Sequence, residues 1–105
     1  MPGQLIVDES DVIHAARCLK AMSHPLRLKI LCTLGKGPAS VQEILEQVGT
    51  TQSNVSQHLA ILREKGLLSF DKQANRVYYR IDDPRTVQLI EMIRAVFCHA
   101  GKFPM

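Results

Sequence analysis

The chain is 105 residues long, with 46% apolar and 22% charged residues and a formal net charge of +3. That is enough chain for one domain and too little for two, with the balance of a globular rather than a disordered protein. No run approaches the roughly 18 consecutive apolar residues of a membrane span, residues 1–10 lack the order of a secretory signal, and three cysteines make no paired disulfide framework. The reading is a single domain over residues 1–105, ordered from about 9 to 100, cytoplasmic, with reduced thiols and no membrane partner.

Val12, Ala15, Ala16, Leu19 and Met22 recur at helical spacing and predict an amphipathic helix over 9–22. Ser23 and His24 supply a cap, and Pro25 fits the first turn of a second helix over 24–34, where its missing N–H costs little. Leu26, Leu28, Ile30, Leu31, Cys32 and Leu34 make that helix apolar nearly all round, so it is read as the buried centre; Gly35 and Gly37-Pro38 end it. Ser40-Val41-Gln42-Glu43 is a capping box. Ile44, Leu45 and Val48 give the third helix its inner face, and Gly49 closes it.

A turn at Thr50 and Thr51 leads into a fourth helix over 52–65, with Thr51 as N-cap and Val55, Leu59 and Leu62 as its inner stripe. Gly66 fits the left-handed position that follows a helix. Two short helices joined by so tight a turn have the sequence shape of a helix-turn-helix. Two β-prone runs, 67–72 and 76–81, then flank Gln73-Ala74-Asn75. In the second, Val77, Tyr79 and Ile81 alternate with Arg76, Tyr78 and Arg80, the period of a half-buried hairpin strand. A last helix over 84–100 carries Leu89, Ile90, Ile93, Val96, Phe97 and Ala100 on a face broader than a small monomer needs, which predicts a partner chain over it. The fold class is α+β, mainly α: a winged helix-turn-helix with five helices and a two-stranded β-hairpin wing over 68–81.

The first two turns of the fourth helix present Gln52, Ser53, Asn54, Ser56 and Gln57, uncharged hydrogen-bonding side chains suited to base edges and phosphates in a major groove. The same face on an arbitrary helix would be a solvated surface; its place after a tight turn and before a basic hairpin favours DNA. Residues 50–81 carry a net +3, with Arg63, Lys72, Arg76 and Arg80 placed to grip the phosphate backbone. His58, between the polar face and the apolar stripe, is a candidate for a phosphate contact or a structural hydrogen bond. No nucleophile–base pair or phosphate-binding glycine loop is present, so no catalytic residue and no cofactor are expected.

Residues 41–45, the run Gln52-Ser53-Asn54-Val55-Ser56-Gln57-His58-Leu59 continuing to Leu68, and Arg76-Val77-Tyr78-Tyr79-Arg80-Ile81 resemble the ArsR/SmtB family of bacterial repressors, as does the upstream Leu19-Lys20-Ala21-Met22-Ser23-His24-Pro25. The resemblance covers about residues 12–98. It implies a winged-helix homodimer, paired through its first and last helices, that leaves a double-stranded DNA operator when it meets an inducer. The cysteine pair that arsenic and cadmium sensors of the family carry on the third helix is replaced by Val41, Gln42, Glu43 and Ile44. The Asp-x-His and His-x-x-Glu ligands of its zinc sensors are missing from the last helix, where His99 stands without partners. His14, His24 and His99 do not assemble a zinc site, so no metal is expected.

Cys32 and Cys98 instead resemble the dithiol branch of the family, which includes persulfide-sensing repressors of sulfide-oxidation genes and the haemolysin-regulator type. The resemblance implies that reactive sulfur species or an oxidant is the inducer, and that closure between Cys32 and Cys98 links the central helix to the dimerisation helix. Arg27 and Lys29, or His99, are the neighbours expected to help a thiolate form. A small buried cysteine is the plain alternative, and Cys18 is read as core or accessory. Two competing functions stay open: a repressor answering a thiophilic metal such as As(III) held by Cys32, Cys98 and Cys18, and a winged-helix protein-interaction module that binds no DNA.

Overall fold

The computed structural model describes residues 8–98; His99 and Ala100 lie outside them. The helix boundaries follow from the caps. α1 (Glu9–Met22) hands over to α2 (Pro25–Leu34) at Ser23-His24, where His24 Nδ1 accepts the Leu26 N–H at 3.1 Å. α3 (Val41–Val48) starts on the capping box: the Glu43 N–H donates to Ser40 Oγ at 3.2 Å and the Ser40 N–H to Glu43 Oε1 at 2.9 Å. It ends on Gly49 at φ +70°, a left-handed conformation that costs an L side chain about 1–2 kcal/mol. α4 (Gln52–Glu64) is capped by Thr51, whose Oγ1 accepts the Asn54 N–H at 3.1 Å. α5 (Pro84–Phe97) begins with Pro84 in its first turn behind Asp83 as N-cap, and Cys98 is its C-cap.

Ser40 is buried, so removing its hydroxyl leaves the Glu43 N–H without its cap. We expect Ser40→Ala to lower stability by about 1 kcal/mol, read in thermal unfolding as a drop of roughly 4–8 °C.

The two-stranded hairpin wing expected from the sequence is present, and a short third strand joins it in an antiparallel sheet of order β1-β3-β2. β2 (Leu68–Gln73) and β3 (Arg76–Ile81) form the hairpin, and β1 (Ala39–Ser40) pairs with β3 through Ala39↔Tyr79 and Ser40↔Tyr78. Two residues are too few to show an alternation, so β1 exists only because the folded chain brings β3 beside it. The hairpin register pairs Gln73 with Arg76, which leaves Ala74 and Asn75 as the turn, with Ala74 at φ +55°.

The core lies where the sequence placed it. α2 packs against all four other helices and β3, with Ile30, Leu31 and Leu34 buried beneath Ile44 and Val48 of α3, Val55, Leu59 and Leu62 of α4, and Ile90 of α5. Burying each of the larger side chains contributes about 1.5–3 kcal/mol. α1 behaves differently: of its expected stripe only Met22 is buried, while Val12 and Leu19 stay 48% and 54% exposed. On α5, Met92, Val96 and Phe97 are 60%, 60% and 74% exposed. A single copy of the chain thus leaves apolar side chains of its first and last helices uncovered.

Candidate nucleic-acid interface

The turn between α3 and α4 is held from both sides. Gly49 supplies the left-handed step, Thr51 the cap, and Asn54 Nδ2 donates to Thr50 Oγ1 at 3.2 Å. Asn54 is half-buried by that bond, whereas Gln52, Ser53, Ser56 and Gln57 are exposed, one open polar face on the first two turns of α4. The opposite side, Val55, Leu59 and Leu62, is seated in the core. α4 therefore stands with its amide and hydroxyl groups outward and its N-terminal N–H groups at the open end, an arrangement that favours a phosphate.

The wing supplies positive charge beside this face. Lys72 and Arg76 are exposed on either side of the turn. Arg80 is tied into its own sheet, its Nε donating to Asp71 at 2.9 Å with Asp82 at 3.7 Å; such an exposed pair contributes little to stability and is weakened by salt. Arg63, in the last turn of α4, lays its guanidinium over the Phe70 ring at 4.8 Å, bridging α4 to β2.

His58 is half-buried and drawn inward. Arg27 Nη1 donates to His58 Nδ1 at 3.0 Å while Arg27 Nε donates to the Ala21 carbonyl, and the His24 ring lies 4.6 Å from that of His58. Because arginine only donates, Nδ1 must be the acceptor, and the neutral ring carries its proton on Nε2. Sequence reasoning missed this α2–α4 joint, since nothing local in either helix marks Arg27 and His58 as neighbours.

Burial first, then the charges of His24 and Arg27, hold the His58 imidazole below its ordinary pKa of 6.5. As pH falls through that value the unfolded chain takes up a proton before the folded one does. The ring's contribution to stability is whole above pH 6.5 and is lost until the lower folded-state pKa is passed. His58→Gln, which keeps an acceptor for Arg27, should therefore show a shallower loss of stability from about pH 7 to about pH 5 in urea unfolding.

The two candidate sensor thiols sit on packed helices. Cys32 of α2 is buried and Cys98, closing α5, is half-buried; neither is in a disulfide. Burial pushes the Cys32 thiol up to about 11, opposed by the positive charges of Arg94 and Lys36 and reinforced by Cys98. The cations acting on Cys32 are therefore Arg94 and Lys36, not the Arg27 and Lys29 expected from the sequence. Arg27 is occupied at His58, and His99 lies outside the described residues. Lys36 sits just past the end of α2, and Arg94 reaches Cys32 from α5, so neither is marked by helical spacing around Cys32. Cys18 faces elsewhere, its Sγ 3.7 Å from His14 Nε2 and 3.9 Å from the Lys65 carbonyl.

Among the described residues no helix is long and apolar enough to cross a membrane, and no group of three or more His, Cys, Asp or Glu could hold a metal ion. Among the described residues, five helices, a tight helix-turn-helix and a three-stranded sheet whose hairpin forms a wing define a winged helix-turn-helix protein.

The family model of bacterial regulatory proteins of the arsR family matches residues 24–69. The biofilm growth-associated repressor of Xylella fastidiosa is 37% identical over 87 residues, which span 83% of this chain and 76% of that protein. The crystal structure of the transcriptional repressor BigR from Xylella fastidiosa matches with a TM-score of 0.78 at 36% identity, over 86% of this chain and 92% of that one. The transcriptional activator HlyU of Vibrio cholerae is 36% identical over 101 residues, 96% of this chain and 94% of that protein, and its structure gives a TM-score of 0.80 at 36% identity over 87% and 99% of the two chains. A homodimeric winged helix-turn-helix DNA-binding domain from Mycobacterium bovis, solved in solution, gives a TM-score of 0.76 at 28% identity over 87% and 86%. The chain belongs to the arsR family of bacterial transcription regulators.

Proposed function

We propose that this regulator is a homodimeric repressor that holds operator DNA through α4 and the β2–β3 wing and releases it when Cys32 and Cys98 are oxidised or persulfidated. Its place of action is where the chromosome is, in the cytoplasm. The open row Gln52, Ser53, Ser56 and Gln57, raised on a capped helix beside Lys72 and Arg76, carries the DNA-binding part. Gln57 and Gln52 hydrogen-bond to base edges, Ser53 and Ser56 to bases or backbone, and Arg63, Lys72, Arg76 and Arg80 to phosphates. His58 offers its Nε2–H to a phosphate, and Asn54 acts by fixing the turn. The uncovered apolar positions of α1 and α5 support pairing of two copies through those helices.

For the thiols, the half-exposed Cys98 meets the inducer first. Its sulfur takes the outer sulfur of a persulfide R–S–SH, releasing R–SH. Cys32 then attacks Cys98 Sγ, the inner sulfur of the new persulfide, forming the Cys32–Cys98 disulfide and expelling the outer sulfur as hydrogen sulfide. Two protein thiols are oxidised and one sulfur is reduced, so no further reductant or oxidant is needed. The crosslink joins α2, at the centre of the core, to the end of the α5 dimer helix, which alters the separation of two reading heads that must sit about one helical turn of DNA apart.

The DNA-binding part is tested by mobility shift on selected operator DNA. Gln57→Ala should lose about 1–3 kcal/mol of discrimination, a tenfold to hundredfold effect on its preferred site, while Lys72→Ala should weaken all sequences alike and reduce the salt slope by about one. Binding without salt dependence or sequence preference would favour the protein-interaction reading instead.

A further inference from the structure

Arg27 is a half-buried cation that pairs with no carboxylate among the described residues. A charge so placed is costly unless its donors are used. Its guanidinium spans three helices: from α2 its Nε donates to the Ala21 carbonyl near the end of α1, and its Nη1 donates to His58 Nδ1 on α4 at 3.0 Å. Because the fork is planar and rigid, it holds the His58 ring in place as well as in tautomer. The His24 ring, itself held by the Leu26 N–H on its Nδ1, packs 4.6 Å from that of His58.

What this clamp leaves free is Nε2 of His58. Among the described residues the ring's hydrogen bond is at Nδ1, and no buried side-chain nitrogen or oxygen lacks a partner, so Nε2 reaches solvent. It does so directly after the exposed Ser56 and Gln57 on α4. We propose that Arg27 is a positioning residue for operator binding, which from inside the subunit aims the His58 Nε2–H at a backbone phosphate of the operator. The inference rests on the DNA-binding reading of α4 and adds to it a residue that does not itself touch DNA. A cation on Nδ1 polarises the ring and strengthens donation at Nε2, and a phosphate oxygen, being charged, gains most from such a donor. Since the ring is already fixed, little freedom is lost when DNA binds. Burial and the charges of His24 and Arg27 keep the ring neutral at about pH 7.5, so the contact adds direction without counterion release.

The test combines operator titrations over a range of salt with nitrogen-15 resonances of the histidine rings, on the full chain at about pH 7.5. His58→Leu should weaken binding about tenfold. Arg27→Met should reproduce most of that loss and add nothing to it in the His58→Leu background. Its salt slope should match the wild type, whereas a direct Arg27–phosphate contact would reduce the slope by about one. In the free wild type, His58 should carry its proton on Nε2, and operator DNA should shift that N–H and protect it from exchange. These ring signals need no substitution, so they decide the matter even where circular dichroism shows Arg27→Met unfolded. A folded Arg27→Met that binds as the wild type does, losses that add in the double variant, a reduced slope, a ring protonated on Nδ1, or an Nε2–H indifferent to operator would each overturn the proposal while the DNA-binding reading stands. A wild type that binds no operator removes both.

Discussion

With Cys98 replaced by Ser, the regulator should bind operator DNA as the wild type does and should stay bound at persulfide doses expected to empty the wild-type complex. In the proposed switch the half-buried Cys98 is the thiol an inducer reaches, whereas Cys32 is buried, which raises its pKa to about 11. At neutral pH burial thus keeps Cys32 almost wholly as the thiol. In the proposed switch Cys32 is therefore the resolving partner, and its deprotonation limits closure. A direct reading charges Cys98 with 5-thio-2-nitrobenzoate in a Cys18→Ser background and follows release of the yellow thiolate as Cys32 attacks. The release rate should rise about tenfold per pH unit through the neutral range, because the thiolate fraction grows with pH until the Cys32 pKa of about 11 is passed. Cys32→Ala is the better control than Cys32→Ser, since a buried hydroxyl without a partner costs about 1–3 kcal/mol on its own. A pH-independent rate, or release of DNA by the Cys98→Ser protein at the wild-type dose, would count against a two-thiol switch.

Val96→Asp should convert the dimer to monomer and carry operator affinity down with it. Val96 is 60% exposed in the single chain, so the substitution leaves the core of the subunit untouched. In a two-fold dimer each change is present twice at the same contact, and a carboxylate taken out of water without a partner costs several kcal/mol. Light scattering coupled to size exclusion measures the state. Circular dichroism should show the helix content of the separated subunits intact. A Val96→Asp protein that elutes as a dimer would place the contact elsewhere. Because two reading heads bind two half-sites, losing the dimer should cost DNA affinity far more than any single side-chain contact on α4.

Local signals carried most of the fold. The capping box at Ser40 and Glu43, the Thr51 cap, and Gly49 and Gly66 at positive φ marked the helix ends within a residue or two, and the alternation through Val77, Tyr79 and Ile81 gave the central strand. Pairings that exist only in three dimensions escaped it. Nothing in two residues announces β1, and no periodicity connects Arg27 to His58. The α1 stripe, read as the apolar face of an amphipathic helix, is largely open in a single copy, because hydrophobic spacing reports that a face will be covered without saying by which chain. At the site, the polar character of Asn54 and His58 was plain, but not that Thr50 and Arg27 already occupy them. The thiol environment was misassigned because Arg27 is taken up by His58, while Arg94, the stronger of the two cations acting on Cys32, reaches it from α5 and not from its own helix.

The short pairing of Ala39 and Ser40 with Tyr79 and Tyr78 ties the chain immediately ahead of α3 to the middle strand of the wing. The helix-turn-helix and the hairpin are thereby sewn into a single block, and neither can swing while the other stays put. Any signal arriving from α2 or α5 must move that block whole, so its output is a change in spacing between two rigid units and not a deformation within either.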